Sequence, residues 1–225
     1  MTYDSVTHTA SDRLLGRFPS GRDVSVTVHR YEGGDGPTVF AQAAQHGIEL
    51  NGPAALRRLH DRLLDAEIAG TVVAVPVTNP LAFDHRSYLT PEAYDAFHSN
   101  FNRIWPGDRD GSFQERLVAN LWPLVEESDV AVDLHTGMPQ MLEHVRFSRG
   151  DDDARALAEA FGTEHSSLTT TPSRATTSPG SSVSRRHGPA FRRSPRSSRT
   201  AEPCDARPSS PESRASGTSS ANSAS

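Results

Sequence analysis

His46 and Glu49 stand three residues apart in Gln45-His46-Gly-Ile-Glu49. One neutral imidazole and one carboxylate suit a borderline-soft cation such as Zn²⁺, but two ligands do not close a site against water. A third donor stands in Asp129-Val-Ala-Val-Asp133-Leu-His135-Thr-Gly137, where an apolar run rich in β-branched residues ends in His135 and is broken by Gly137. Two histidines and one carboxylate, with a fourth position left open, are the ligand set of a catalytic zinc. A lone histidine is more often a hydrogen-bonded or solvent-exposed imidazole than a ligand, and this chain has ten of them. The combination points to a metal: two histidines at strand ends, each followed closely by glycine, with a glutamate at a ligand offset.

The elements that must carry these residues follow from the pattern around them. Val39, Phe40 and the small residues after them read as a buried strand, Gly47 breaks it, and Asn51-Gly52-Pro53 sets up a helix from Ala54. His46 and Glu49 therefore sit on a loop at a strand's C-terminal end, where open α/β sheets build their sites. Leu56, Leu59, Leu63 and Leu64 recur at helical spacing through residues 54–68, with Gly70 as the stop. Residues 71–77 form a buried strand parallel to the first, with the helix as crossover. Upstream, residues 24–29 alternate apolar and polar, a half-buried strand. The glycines of residues 33–37 do not open a helix, so they read as a hairpin turn rather than a phosphate cradle.

Residues 79–111 form a long irregular connection, charged and aromatic, with a short helix over 91–98; such a length inside a compact domain is usually functional. Ser112 and Glu115 make a capping box ahead of a helix with Leu117, Leu121, Leu124 and Val125 on one face, leading to the His135 strand. Residues 141–147 read as a further strand. Asp151, Asp152 and Asp153 open a helix that reaches Phe161 and stops at Gly162. The alternation predicts a three-layer α/β/α fold on a mixed, mostly parallel sheet.

Four linked motifs carry a resemblance: Gln45-His46-Gly-Ile-Glu49-Leu-Asn-Gly52-Pro53, Val75-Pro-Val-Thr-Asn79-Pro80-Leu-Ala-Phe83, Phe101-Asn102-Arg103-Ile-Trp-Pro-Gly107 and Asp133-Leu-His135-Thr-Gly137. Over residues 24–165, and in the same order, they resemble the succinylglutamate desuccinylase/aspartoacylase family of the zinc carboxypeptidase superfamily. The resemblance implies a zinc carboxypeptidase-like fold in which His46, Glu49 and His135 hold one Zn²⁺ per chain. It also implies that Asn102 and Arg103 grip a substrate carboxylate, and that Arg86 lies in the region of the arginine that polarises the scissile carbonyl. Residues 89–100 read as an insertion. Taken by itself, Asn102-Arg103 admits two readings. A planar guanidinium beside an amide can hold a carboxylate bidentately, or Arg103 is a surface cation paired with a nearby acid. The activity implied is zinc-dependent hydrolysis of an amide or ester bond in a small carboxylate-bearing N-acyl substrate. A zinc carboxypeptidase-type peptidase shares the ligand pattern, and a non-catalytic zinc-binding remnant is a further alternative.

Charge is unevenly spread. No Lys occurs, and residues 1–165 hold 25 acidic and 14 Arg residues, a balance of −11, against 3 acidic and 9 Arg residues, a balance of +6, in 166–225. The acidic, Lys-free part suits a solvated surface in high salt and argues against nucleic acid as its partner. No stretch is apolar enough to span a membrane, and residues 1–12 lack a basic region followed by an apolar one, so a cytoplasmic protein is expected. The single cysteine, Cys204, rules out an intrachain disulfide.

From Ser166 onward Ser, Arg, Pro, Thr and Ala dominate and no periodic apolar run remains, so residues 166–225 are expected to be a disordered tail. The abrupt change is what out-of-frame reading of a GC-rich gene would produce. Residues 1–165 then represent the incomplete N-terminal part of a deacylase domain. In the family a Glu on a later strand moves the proton; Glu202 and Glu212 lie in Pro/Ser-rich sequence and do not match it. The expectation is an enzyme impaired at proton transfer.

Overall fold

Alternation builds the first half of the sheet. In the computed structural model, residues 1–148, 151–163, 166–169 and 181–185 are described, all within the unit Met1–His187. Strand β3 (Asp23–Glu32) buries Val24, Val26 and Val28 and exposes Ser25 and Thr27, the period of two that a half-buried strand requires. Strand β2 (Thr7–Arg17) pairs antiparallel with it at the sheet edge. Only Leu15 of β2 is fully buried, so the strand has no alternation to betray it, and the polar residues 1–12 gave no strand signal. The two-residue β1 (Asp4–Ser5) pairs with β5 (Glu67–Val75).

The centre of the sheet is parallel. Strand β4 (Gly34–Ala43) lies between β5 and β6 (Val130–Leu134), parallel to both, and α1 (Asn51–Leu64) is the crossover between β4 and β5. Beyond β6 come β9 (Ser181–Arg185), antiparallel to it, then β7 (Val145–Ser148) and β8 (Ser166–Thr169), giving the order β2-β3-β5-β4-β6-β9-β7-β8. The mixed sheet expected from sequence is therefore present, with its parallel strands at the site.

Helices cover both faces. The even positions of β4 point one way: Phe40 packs with Val73, Val75 and the Leu117, Val118, Leu121 and Leu124 face of α3 (Phe113–Glu126). The odd positions point the other way, where Ala41 and Ala43 meet Leu56 of α1, and Val39 meets the cluster of α4 (Asp152–Ala160) with Val145 and Phe147. Burying a leucine or phenylalanine of this kind stabilises by roughly 1.5–3 kcal/mol relative to exposure, so the two-sided core fixes which residues of β4 and β6 can face the site. The capping box is present as expected, Ser112 Oγ accepting from Glu115 N and Glu115 Oε2 accepting from Ser112 N at 2.8 Å.

Three local readings are corrected. The glycines of residues 33–37 do not close a hairpin, because β5 inserts between β3 and β4. Gly70 does not end α1, which stops at Leu64; it lies inside β5 with φ +98°, where a Cβ would stand 2.1 Å from the Pro37 carbonyl oxygen, beside the register shift between Gly34 and Thr38. Residues 91–98 form turns instead of a helix. Tyr94 N and Asp95 N both donate to the Pro91 carbonyl, and the Asp95 carboxylate then accepts from Phe97 N and Ser99 N, diverting the backbone from helical bonding. The connection does hold the short α2 (Pro80–Asp84) and a 3₁₀ turn at Phe101–Arg103. Strands β8 and β9 fall past His165, where the sequence signals no element; the rest of 166–225, like His165 itself, lies outside the described residues. Among the described residues no helix is long and apolar enough to cross a membrane.

Candidate metal centre

The centre forms where β4 and β6 end. After Ala43 the chain turns through Ala44, whose φ of 53° is left-handed, and this swings Gln45 and His46 out of the strand path. The segment after β5 braces that turn: Thr78 N and Oγ1 donate to the Ala43 carbonyl at 3.0 and 2.5 Å, and Asn79 N donates to the Ala44 carbonyl at 3.2 Å. The Asn79 side chain donates to the Gln45 carbonyl at 3.2 Å while its oxygen caps α2 at Ala82 N, with Pro80 in the first helical position. Gly47 packs so tightly on α2 that an added Cβ would lie 2.0 Å from the Ala82 carbonyl oxygen. Strand β6 carries Asp133, and His135 follows two residues later on the same side.

Glu49 sits between the two histidines. His46 Nδ1 lies 2.8 Å from Glu49 Oε1 and His135 Nδ1 lies 2.8 Å from Glu49 Oε2, so each ring faces a different oxygen of one carboxylate. The ligand-capable atoms of the three residues all lie within 4.8 Å of one another, and all three residues are buried. Burial pushes Glu49 toward its neutral form, but the hydrogen bonds and positive charge of His135 and His46 outweigh it and hold its pKa down at about 2. Burial likewise opposes a charged His135, yet Asp133 and Glu49 raise its pKa to about 10. The two carboxylates thus create a buried demand for positive charge, and two imidazoles with one carboxylate fit zinc.

Further hydrogen bonds and a ring contact hold these side chains in place. His135 Nε2 lies 2.7 Å from Asp133 Oδ2, which also accepts from Gln45 Nε2 at 2.6 Å; Gln45 Oε1 in turn accepts from Trp105 Nε1 at 2.7 Å. A carboxylate on the far nitrogen of a metal-ligating histidine fixes its tautomer and orientation. His46 Nε2 lies 3.1 Å from Asn100 Oδ1, and its ring stacks on Tyr88 with centroids 4.1 Å apart.

The remaining residues named from sequence are spread more widely. Asn102 is buried, with its amide nitrogen 3.3 Å from His135 Nε2. Arg103 is exposed and donates to the Asn102 carbonyl at 3.0 Å. Burial raises the pKa of the Tyr88 hydroxyl, Glu49 adds to the rise and Arg103 opposes it, so Tyr88 lies in the field of both. Arg86 is exposed, with its guanidinium 4.3 Å above the Phe83 ring and donating to the Phe83 carbonyl. Sequence reasoning passed over Asp133, Gln45, Tyr88, Asn100 and Trp105. The Asp-x-His spacing on a strand was a usable signal for Asp133; the others depend on how residues 79–111 fold.

The family model of the succinylglutamate desuccinylase/aspartoacylase catalytic domain matches residues 35–188, which contain this whole centre. The chain belongs to that family. An N-alpha-acetyl-L-2,4-diaminobutyric acid deacetylase of Halomonas elongata is 35% identical over 148 residues, covering 62% of this chain and 42% of that protein. An aspartoacylase family protein of Mesorhizobium loti shares the fold with a TM-score of 0.64 at 27% identity, over 72% of this chain and 52% of that one. A succinylglutamate desuccinylase/aspartoacylase of Rhodobacter sphaeroides gives 0.62 at 26% identity, over 80% and 58%. The chain therefore spans about half the length of these relatives.

Proposed function

We propose that this chain carries the zinc site and carboxylate clamp of a deacylase that cleaves an amide or ester bond in a small, carboxylate-bearing N-acyl substrate. The observation that carries the reading is the convergence of buried His46, Glu49 and His135 at the ends of two adjacent parallel strands. The deacetylase named among the relatives supports a deacylase over a peptidase. When bound, zinc supplies Lewis acidity to the carbonyl under attack and to water.

The protein's own groups bind and orient. Asn102 and the Arg103 guanidinium take the substrate's acid group, which requires the Asn102 amide to exchange its contact with His135 Nε2, and Arg103 its bond to the Asn102 carbonyl, for substrate. Arg86 assists the developing oxyanion, which requires its guanidinium to exchange the Phe83 carbonyl for substrate. Proton transfer is the weak step. Among the described residues, the carboxylates that touch the two histidines are Glu49 and Asp133, one serving as ligand and the other holding Nε2 of His135, so neither is available to shuttle a proton.

Metal analysis tests the site directly. Relative to the parent chain, His135→Ala should lower the zinc content by about one ion per molecule, because two remaining ligands seldom hold Zn²⁺ against water. Equal zinc content in the two proteins would sink the assignment.

A further inference from the structure

A second group of metal-capable side chains lies on the helix α1 side of the sheet, on β2, β3 and α1. His8, His29 and His60 each offer a nitrogen, and these atoms lie within 4.8 Å of one another. Three separate elements deliver them. The β2–β3 register sets His8 directly opposite Tyr31, and His29 lies two residues from Tyr31 on the same face of β3. His60 comes from α1, which is docked on that face through Leu63 against Tyr31 and Ala74. All three histidines are half-buried, a depth that shields a bound ion while leaving it an entry path.

The rings are held rather than splayed. His8 Nε2 lies 3.1 Å from His29 Nδ1, and their rings stack with centroids 5.4 Å apart. The His60 ring meets His8 edge-on at 4.9 Å, and the Tyr31 hydroxyl sits 2.8 Å from His60 Nδ1. Tyr31 itself is buried and stacks on His8 at 4.7 Å, so the ring against which the cluster packs is fixed by the core. His29 and His60 also line an open cavity of about 280 Å³ with Tyr31, Leu56 and Arg57, large enough for an ion and its remaining waters. The acid nearest in sequence, Asp61, is taken up by Arg57 at 2.5 Å, so the donor set is three nitrogens.

We propose that His8, His29 and His60 form a second metal site, separate from the His46–Glu49–His135 centre, for a divalent ion of the zinc, nickel or copper class. Imidazole donors suit that class, whereas calcium and magnesium call for oxygen. The single hydrogen bond between His8 and His29 is what an ion replaces: neutral imidazoles exchange tautomers so that both facing lone pairs turn to the metal. Tyr31 then acts on His60 as outer-shell partners act on metal-ligating histidines, fixing the ring. No short motif announces the site, because its members are spread over residues 8–60 and meet only through cross-strand register and helix docking.

The test uses the full chain carrying His135→Ala, so that the first centre is already disabled and the two assignments fail separately. Titration with Co²⁺, followed by its visible absorption, should show about one equivalent bound in this background, with nitrogen-ligand bands. Adding His29→Gln, or independently His60→Gln, should weaken that binding at least tenfold while far-UV circular dichroism stays unchanged. Two substitutions on different elements guard against one of them misfolding. No cobalt uptake in the His135→Ala background, or uptake indifferent to both His29→Gln and His60→Gln, would overturn the second site and leave the proposal for the first untouched.

Discussion

Asp133 governs how His135 presents itself. Its Oδ2 receives both the His135 ring and the Gln45 amide, and Gln45 is anchored by Trp105, so the ring orientation is set three residues deep. Asp133→Asn preserves the shape but removes the charge that makes the imidazole a stronger ligand. Zinc affinity at this centre should fall by roughly 10- to 100-fold, the usual cost of losing an outer-shell carboxylate, with the fold retained. Competition with a chromophoric chelator measures this; an unchanged affinity would show that Asp133 serves packing alone. At this scale the sequence was informative wherever chemistry and period coincided. Histidines at strand ends and a glutamate three residues on could be read because strand alternation and ligand type restrict the options. Tyr88 and Asn100 could not, because nothing local dictates that residues 79–111 fold back over His46.

Two helix caps separate elements that build the site from elements that support the core. Ser112 caps α3 in a capping box with Glu115, whereas Asn79 caps α2 and also donates to the Gln45 carbonyl and to Thr90, while 1% exposed. Ser112→Ala should cost about 1 kcal/mol in urea unfolding and leave zinc affinity alone. Asn79→Ala should cost about 2–4 kcal/mol, since a lost cap combines with a buried carbonyl left unpaired, and it should weaken zinc because the Gln45–His46 turn loses its brace. Equal effects of both changes on zinc would mean that α2 does not position the metal loop. The same contrast explains which elements could be read from sequence. The capping box and the leucine stripe of α3 are local signals, and they placed that helix correctly. The insertion of β5 between β3 and β4 is a long-range pairing with no local trace, so glycines that look like a hairpin turn in sequence instead open a central strand. Strands β1 and β2 escaped notice because an exposed edge has little apolar period to show.

For the molecule as a whole, the prediction is that metal binding and turnover come apart. The family match spans residues 35–188, which hold the candidate centre, and the chain covers 42% of the Halomonas elongata deacetylase. Hydrolysis needs more than a metal. A group must take the proton from the attacking water and return it to the leaving amine, and a positioned acid/base of that kind typically contributes about 10² to 10⁴ in rate. Among the described residues, the carboxylates that contact the two histidines are Glu49, the proposed ligand, and Asp133, the partner of the His135 ring, while Glu202 and Glu212 lie outside the described residues. The expected outcome is therefore zinc binding without appreciable hydrolysis of N-acyl amino acids by the 225-residue chain. A chain given the family's C-terminal portion with its glutamate should hydrolyse them, lose that gain when the glutamate becomes glutamine, and keep its zinc throughout, since the glutamate is not a ligand. The assay compares turnover and zinc content in parent, extended and Glu→Gln chains of verified fold. Zinc-dependent turnover by the 225-residue chain itself, abolished in His46→Ala, would show that the described unit already contains its own proton shuttle.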